Sequence, residues 1–222
     1  MPDPRESTSA WTWDGRRYHD VSTGRFVGEQ QMTALRDLYI DRQQERVTDI
    51  AELFADGDIN RDQFITQMRE EIRNAYVNEY ALGAGGRAQV SKAEWLEVGR
   101  DCKKQYGYLN NFADEMESAR QAGNPRSAEY IANRAKLYME SSSQAYEKAH
   151  SEALGMPPNA LPAYPGDGST VCRTNCHCHW DIEEEGDEWH CYWRLGESEH
   201  CPDCEENASN WNPLVIPRGK NA

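Results

Sequence analysis

Basic charge is scarce in this sequence. Its 222 residues carry 24 Lys and Arg against 38 Asp and Glu, a formal net charge of −14 with a pI near 4.9. Such a surface repels phosphate backbones, which argues against a nucleic-acid reader held by general electrostatics. Apolar residues are also few: they make up 38% of the chain, with a mean hydropathy of −0.92, against roughly 45–50% in an ordinary globular domain. A compact enzyme around a large core does not fit that composition. Long amphipathic helices, or a chain that completes its core against partners, fit better. No apolar run approaches the ~20 residues of a membrane span. The opening MPDPRESTSAWTW lacks the charged-then-apolar order of a secretory signal. The expectation is a soluble chain without membrane contact, kept in a reducing cytosol. Its length suits one modest domain, or a domain with a small module.

Seven cysteines are present, and their placement says more than their number. Cys102 stands alone in a helical stretch, whereas Cys172, Cys176, Cys178, Cys191, Cys201 and Cys204 crowd into the last quarter. In a chain with no secretory signal, such a patch reads as metal binding before disulfides. The expected organisation is an N-terminal arm over 1–28, a helical body over 29–154 and a Pro/Gly linker over 155–170. A cysteine-rich module over 171–216 and a short tail over 217–222 complete it. Segment 155–169 holds four prolines and three glycines, too broken for helix or central strand.

In the arm, Asp14-Gly15 and Ser22-Thr23-Gly24 read as turns, and Tyr18, Val21, Phe26 and Val27 as a short hairpin between them. In the body, Leu35, Leu38, Tyr39, Val47, Ile50, Leu53 and Phe54 recur near helical spacing. Asn60 with Gln63, and Ser91 with Glu94, form capping boxes that start the second and third helices. Phe64, Met68, Ile72, Tyr76 and Tyr80 make the second stripe, and Trp95, Val98, Cys102, Leu109, Phe112 and Met116 the third. Asn124-Pro125 is expected to open a fourth helix running to about 153. The predicted fold is therefore mainly α, a four-helix antiparallel bundle or extended helical hairpins, with a small C-terminal zinc-binding β-rich module.

Three features of the body invite stronger readings and lose them. Asp56-Gly57-Asp58 resembles part of a calcium loop, but aligning Gly57 puts Phe54 and Gln63 where carboxylates are needed. Gly83, Gly85 and Gly86 have no preceding strand and no following Lys-Ser/Thr, so a hinge replaces a phosphate cradle. Tyr106, Tyr108, Tyr130, Tyr138 and Tyr146 read as half-buried packing rather than base-stacking platforms.

The module reads C-x3-C-x-C, a gap of 22 residues, then C-x2-C. Two cysteine clusters at this separation suit tetrahedral zinc, and in so polar a segment the metal supplies much of the folding energy. Cys201 and Cys204 are the firmest candidate ligands, and the other two come from Cys172, Cys176 and Cys178. His177, His179, His190 and His200 are possible substitutes, and disulfide pairing or redox-active thiols remain alternatives to one structural Zn2+ per chain. Cys191 reads as buried packing. Trp180, Trp189, Trp193 and Trp211 supply a small aromatic core. From residue 172 onward there are 11 acidic and 4 basic residues, the wrong balance for a ribbon that grips DNA. No H-E-x-x-H and no H-x-E with P-C-x-x-C occurs, so the expectation is no catalytic residue and no enzyme.

The segments Cys172-Arg-Thr-Asn-Cys176-His-Cys178, Tyr192-Trp193-Arg-Leu-Gly, Glu199-His-Cys201-Pro-Asp-Cys204 and Trp211-Asn-Pro-Leu carry a resemblance. Together they look like the tail of tailed-bacteriophage minor head proteins, grouped with the head-morphogenesis family. Thr23-Gly24-Arg25-Phe26-Val27, Gly57-Asp-Ile-Asn with Phe64 and Met68, Leu82-Gly-Ala-Gly-Gly86 and Gln105-Tyr106-x-Tyr108-Leu109-x-x-Phe112 agree in outline. Many members place C-x2-C before Asn-Cys-x-Cys, and here it follows, although coordination depends on convergence in space. The resemblance implies a non-enzymatic virion or procapsid component near the portal or inner shell. It would contact portal or capsid proteins, with oligomerisation in the virion allowed, and pass through the host cytoplasm during assembly. A cytosolic zinc-ribbon adaptor or regulator is the other reading.

Overall fold

The computed structural model describes residues 11–13, 18–20, 24–173, 176–196 and 199–218. The expected turns at Asp14-Gly15 and Ser22-Thr23, strand residue Val21, the side chain of Leu35 and segment 219–222 lie outside the described residues. In the arm, β1 (Trp11–Trp13), β2 (Tyr18–Asp20) and β3 (Phe26–Val27) form an antiparallel meander, with Thr12 opposite His19 and His19 opposite Phe26.

The body is mainly helical. It comprises α1 (Glu29–Asp56), α2 (Arg61–Gly83), a single 3-10 turn (Arg87–Gln89), α3 (Lys92–Gln121), α4 (Ala128–Glu140) and α5 (Ser143–Ala153). Both capping boxes form. Asn60 accepts from the Gln63 N–H at 3.0 Å and its own N–H donates to Gln63 Oε1 at 2.9 Å. Ser91 and Glu94 repeat the exchange at 3.3 and 2.6 Å. Each exchange satisfies two N–H groups that a helix start would otherwise leave bare. With Asn60 committed to its cap and Asp56 and Asp58 exposed, the segment 56–60 works as a turn.

The expected fourth helix is a correction. Gly123, at φ +74°, closes α3, and Asn124 N–H reaches back to Ala119 O at 3.0 Å. Residue 124 is thus spent on the end of α3, and a residue before proline is pushed away from helical geometry. The next helix starts only where Ser127 accepts the Tyr130 N–H at 3.2 Å. That helix also breaks midway. Ser141 Oγ donates to Tyr138 O and Ser142 Oγ to Met139 O, so hydroxyls take carbonyls that a continuing helix would use. The break is sealed by Tyr76 Oη, 3.0 Å from Ser141 Oγ, and by Gln144 Nε2 donating to Tyr76 Oη.

Helix α2 is the hub, packing against α1, α3, α4 and α5. Phe54 stacks on Phe64 at 4.5 Å, and Phe112 meets Phe64 edge-on at 6.3 Å. Met68, Ile72, Tyr76 and Leu109 are fully buried beside them, each burial contributing about 1.5–3 kcal/mol. On α1 the buried line is Tyr39, Gln43, Val47, Ile50, Phe54. Leu38 and Leu53 precede members of that line by one residue, about 100° round the helix, and both are exposed. A polar residue, Gln43, holds the core position by donating to Tyr39 Oη at 3.0 Å. Among the tyrosines singled out earlier, Tyr138 is buried and Tyr108 stands 53% exposed.

The C-terminal module contains β4 (His179–Glu185), β5 (Glu188–Arg194), α6 (Pro202–Asn210) and β6 (Leu214–Pro217). The sheet is antiparallel in the order β4-β5-β6, with Trp180 opposite Trp193 and Ile182 opposite Cys191. Trp189, Cys191 and Trp193 alternate inward along β5. Segment 155–169 has neither helix nor strand, yet it is no loose tether. Met156, Leu161 and Ala163 are buried in the same second core as the tryptophans and cysteines. Ala163 O accepts from Trp180 Nε1 at 2.9 Å, and Gly166 O from Gln144 Nε2 at 3.3 Å. The segment is a strap between body and module.

Charge is buried at that seam. Glu147 on α5 is 4% exposed and accepts the Trp180 N–H at 3.3 Å. Below it Arg36 pairs with Glu79 at 2.8 Å and lies 3.5 Å over the Tyr146 ring. The guanidinium is bonded to Glu79 and attracts Glu147 only at longer range. Burial pushes the Glu147 carboxyl up to about 7, against the pull of Arg36 and the Trp180 N–H and with help from Glu79.

Two predictions follow from this packing. A Cβ on Gly83 would stand 2.3 Å from Tyr146 O, whereas one on Gly99 meets nothing within 4 Å. Gly83→Ala is expected to lose about 1–3 kcal/mol in chemical denaturation, and Gly99→Ala to gain about 0.5–1 kcal/mol. For Glu147, the folded carboxyl binds its proton more tightly than the unfolded one, so its contribution to stability falls as pH rises through about 7. Glu147→Gln should be more stable than the parent at pH 8 by about 1–3 kcal/mol and lose the advantage near pH 5, read from denaturation midpoints.

Candidate metal centre

Three chain segments deliver the cysteines to one place. Cys201 is the N-cap of α6, with Pro202 at the first helical position and Cys204 one turn further on. Proline suits that position because its fixed φ is already helical and its missing N–H costs nothing there. A turn at 170–173 presents Cys172. It is closed by Arg173 N–H to Thr170 O at 2.8 Å, with Arg173 in the left-handed region at φ +53°. Asp203 Oδ2 accepts the Val171 N–H at 2.7 Å and binds this turn to α6. Cys176 and Cys178 lead directly into β4, and the chain leaving β5 passes close over them at Gly196. A Cβ there would stand 2.4 Å from His177 O, so the backbones can meet only at glycine.

The sulfurs of Cys172 and Cys176 each lie 3.7 Å from that of Cys204. Four thiolates around zinc at about 2.3 Å would be separated by about 3.8 Å, so these spacings match edges of a thiolate–metal tetrahedron. Cys172, Cys201 and Cys204 form one group of sulfurs mutually within 4.8 Å, and Cys176, Cys178 and Cys204 a second. The cluster can hold a metal ion. All five cysteines expected from the spacing are therefore drawn together, with Cys204 common to both groups. None of the seven cysteines is in a disulfide.

Local polarity prepares the thiolates. Burial raises Cys201, but the backbone N–H groups of Cys204 and Cys172 bond to its sulfur, and the balance falls to about 7. The start of α6 adds its own preference for negative charge. Cys178 is also lowered, by a hydrogen bond from Cys176 and by the Gly196 N–H, against burial. Cys172 is pushed up to about 11 by burial, and Cys176 and Cys204 rise as well, through thiol–thiol hydrogen bonds and burial. A bound cation reverses that balance, because a coordinating thiol is deprotonated outright.

Comparison with known protein families, with curated proteins and with solved structures finds no match to this chain. The residues must speak for themselves.

Among the described residues, no histidine joins either sulfur group. His190 lies instead at the tip of the β4–β5 hairpin, 3.4 Å from Glu185 and 3.5 Å from Glu188. Cys191 is fully buried on β5, and burial pushes its thiol up to about 11. All four tryptophans belong to the module's core, with Trp211 packed at its edge. Trp180, Trp193 and Trp211 pack together with centroids 5.2–5.6 Å apart, whereas Trp189 carries Arg218 over its ring at 4.7 Å. Sequence reasoning missed Asp203, Thr170 and Gly196 as parts of the centre. Of these only Gly196 left a sequence signal, as the single glycine just after β5.

Replacing Gly196 tests this geometry. Gly196→Ala must displace the His177 carbonyl and drag Cys178 with it, as a disturbed support of a metal ligand does. Zinc affinity is expected to fall about 10–100-fold in competition with a chromophoric chelator, with far-ultraviolet helical signal unchanged.

Proposed function

We propose that the protein is a non-enzymatic structural or assembly component of a tailed-phage head, a minor capsid or portal-associated protein, with a C-terminal module pinned by structural zinc. The observation that carries the zinc half is the convergence of three chain segments on Cys204 at thiolate–metal spacing. Sulfur donors of this kind favour zinc among the common divalent ions, and a set made of cysteine thiolates is the usual composition of a structural zinc site. The assembly half rests on the resemblance to minor head proteins and on the surface. Glu183, Glu184, Glu185, Asp187 and Glu188 are exposed along the hairpin, a surface suited to basic patches on capsid or portal subunits. On this reading the helical body is an antiparallel bundle that holds the module at a defined angle through the strap and the Glu147–Trp180 bond.

Two measurements test the two halves. Stripping metal with a chelator should abolish the near-ultraviolet signal of the three packed tryptophans and leave the far-ultraviolet helical signal largely intact. Simultaneous loss of both would remove the case for a separately pinned module. Quantitative mass spectrometry of purified particles of the encoding phage should find the chain at a fixed, low copy number relative to the major capsid protein. A chain confined to the soluble lysate would favour the cytosolic zinc-ribbon adaptor.

A further inference from the structure

A tetrahedral zinc ion uses four ligands, and this centre gathers five sulfurs. Their arrangement is not four plus a spare. Among the described residues, the sulfurs within 4.8 Å of one another fall into two groups of three, Cys172–Cys201–Cys204 and Cys176–Cys178–Cys204, and no set of four meets that limit. A single tetrahedral ion needs four sulfurs all about 3.8 Å from one another. Two triangles joined at one corner are instead the layout of two metal positions sharing one sulfur.

We infer that the module binds two thiophilic cations, one in each cysteine triangle, with Cys204 as the bridging thiolate. This rests on the metal-centre reading above and adds its stoichiometry. Cys204 is placed for the bridge. It is buried, and it lies 3.7 Å from one sulfur of each triangle, Cys172 on one side and Cys176 on the other. Charge favours the pair of ions too. Five thiolates around one divalent cation leave a net −3 in a largely buried cluster, whereas two cations reduce it to −1, in a chain already at −14. Each triangle alone supplies three sulfurs, so its ion has one position for a further ligand. In the outer triangle Cys172 and Cys201 are only half-buried, which leaves room for water there. All three sulfurs of the inner triangle are buried. The outer ion is therefore the one a chelator reaches first.

The test is the number of ions bound by the full chain, purified under reducing conditions and titrated with Cd2+. Native mass spectrometry counts the ions, and thiolate-to-cadmium charge-transfer absorption follows their binding. The expected result is saturation at two ions per chain, with removal by chelator in two separate phases. Cys172→Ser should keep one ion, the inner, and Cys178→Ser should keep one, the outer. Cys204→Ser should weaken both, since it takes a sulfur from each triangle. Saturation of the parent chain at one ion overturns the inference and leaves the metal centre standing. Binding of none overturns the metal centre as well. The parent stoichiometry decides between these outcomes even where a variant fails to fold.

Discussion

Cys204 sits where the turn at 170–173, the approach to β4 and the first turn of α6 come together. Its sulfur lies 3.7 Å from sulfurs delivered by the other two segments. Protonated thiols have little reason to gather so closely, because each is a weak donor and a weak acceptor. A thiophilic cation held there would supply the attraction, and the surrounding backbone suits it: N–H groups aim at Cys201 and Cys178, and glycine stands where two backbones nearly touch. The module's sheet, its tryptophan cluster and its short helix all depend on that point, since each runs directly into or out of a cysteine.

The helical body follows a different logic. Its core is aromatic and aliphatic around α2, but it does not close at its C-terminal end with hydrocarbon. There α5 offers Glu147 to the β4 backbone, and Arg36 pairs with the buried Glu79. A buried ion pair of this kind adds little net stability after desolvation. Removing one partner, however, strands the other, so the arrangement penalises any other docking of module on body. The strap reinforces this by placing its carbonyls opposite Trp180 and Gln144.

Much of this was legible in the chain, and the failures have physical causes. Helical periodicity, both capping boxes and the cysteine clustering are local patterns, and the structure displays a mainly helical body, a small antiparallel sheet and the cysteine cluster. The break at Ser141-Ser142 was invisible because serine tolerates a helix interior until a partner such as Tyr76 captures its hydroxyl. The start at Ser127 in place of Pro125 turned on Gly123 and Asn124 being used to finish the preceding helix. The 155–169 strap looked like a tether, since proline and glycine describe backbone freedom and say nothing about burial of Met156 and Leu161. Glu147 and Gly196 matter through segments dozens of residues away, which no spacing rule records.

Composition then explains why the second core is one that a metal would complete. An apolar share of 38% has to cover two separate cores, and the first takes most of the aliphatic side chains. What remains for the second is a few strap and strand aliphatics, tryptophans and thiols. A unit of about fifty residues with so little hydrocarbon falls in the size range where disulfides, metals or partners are needed to complete folding. Disulfides would close individual pairs, whereas a cation at Cys204 ties three segments at once and offsets charge in a region rich in carboxylates. The same acidity thus makes a cation the economical centre for this module.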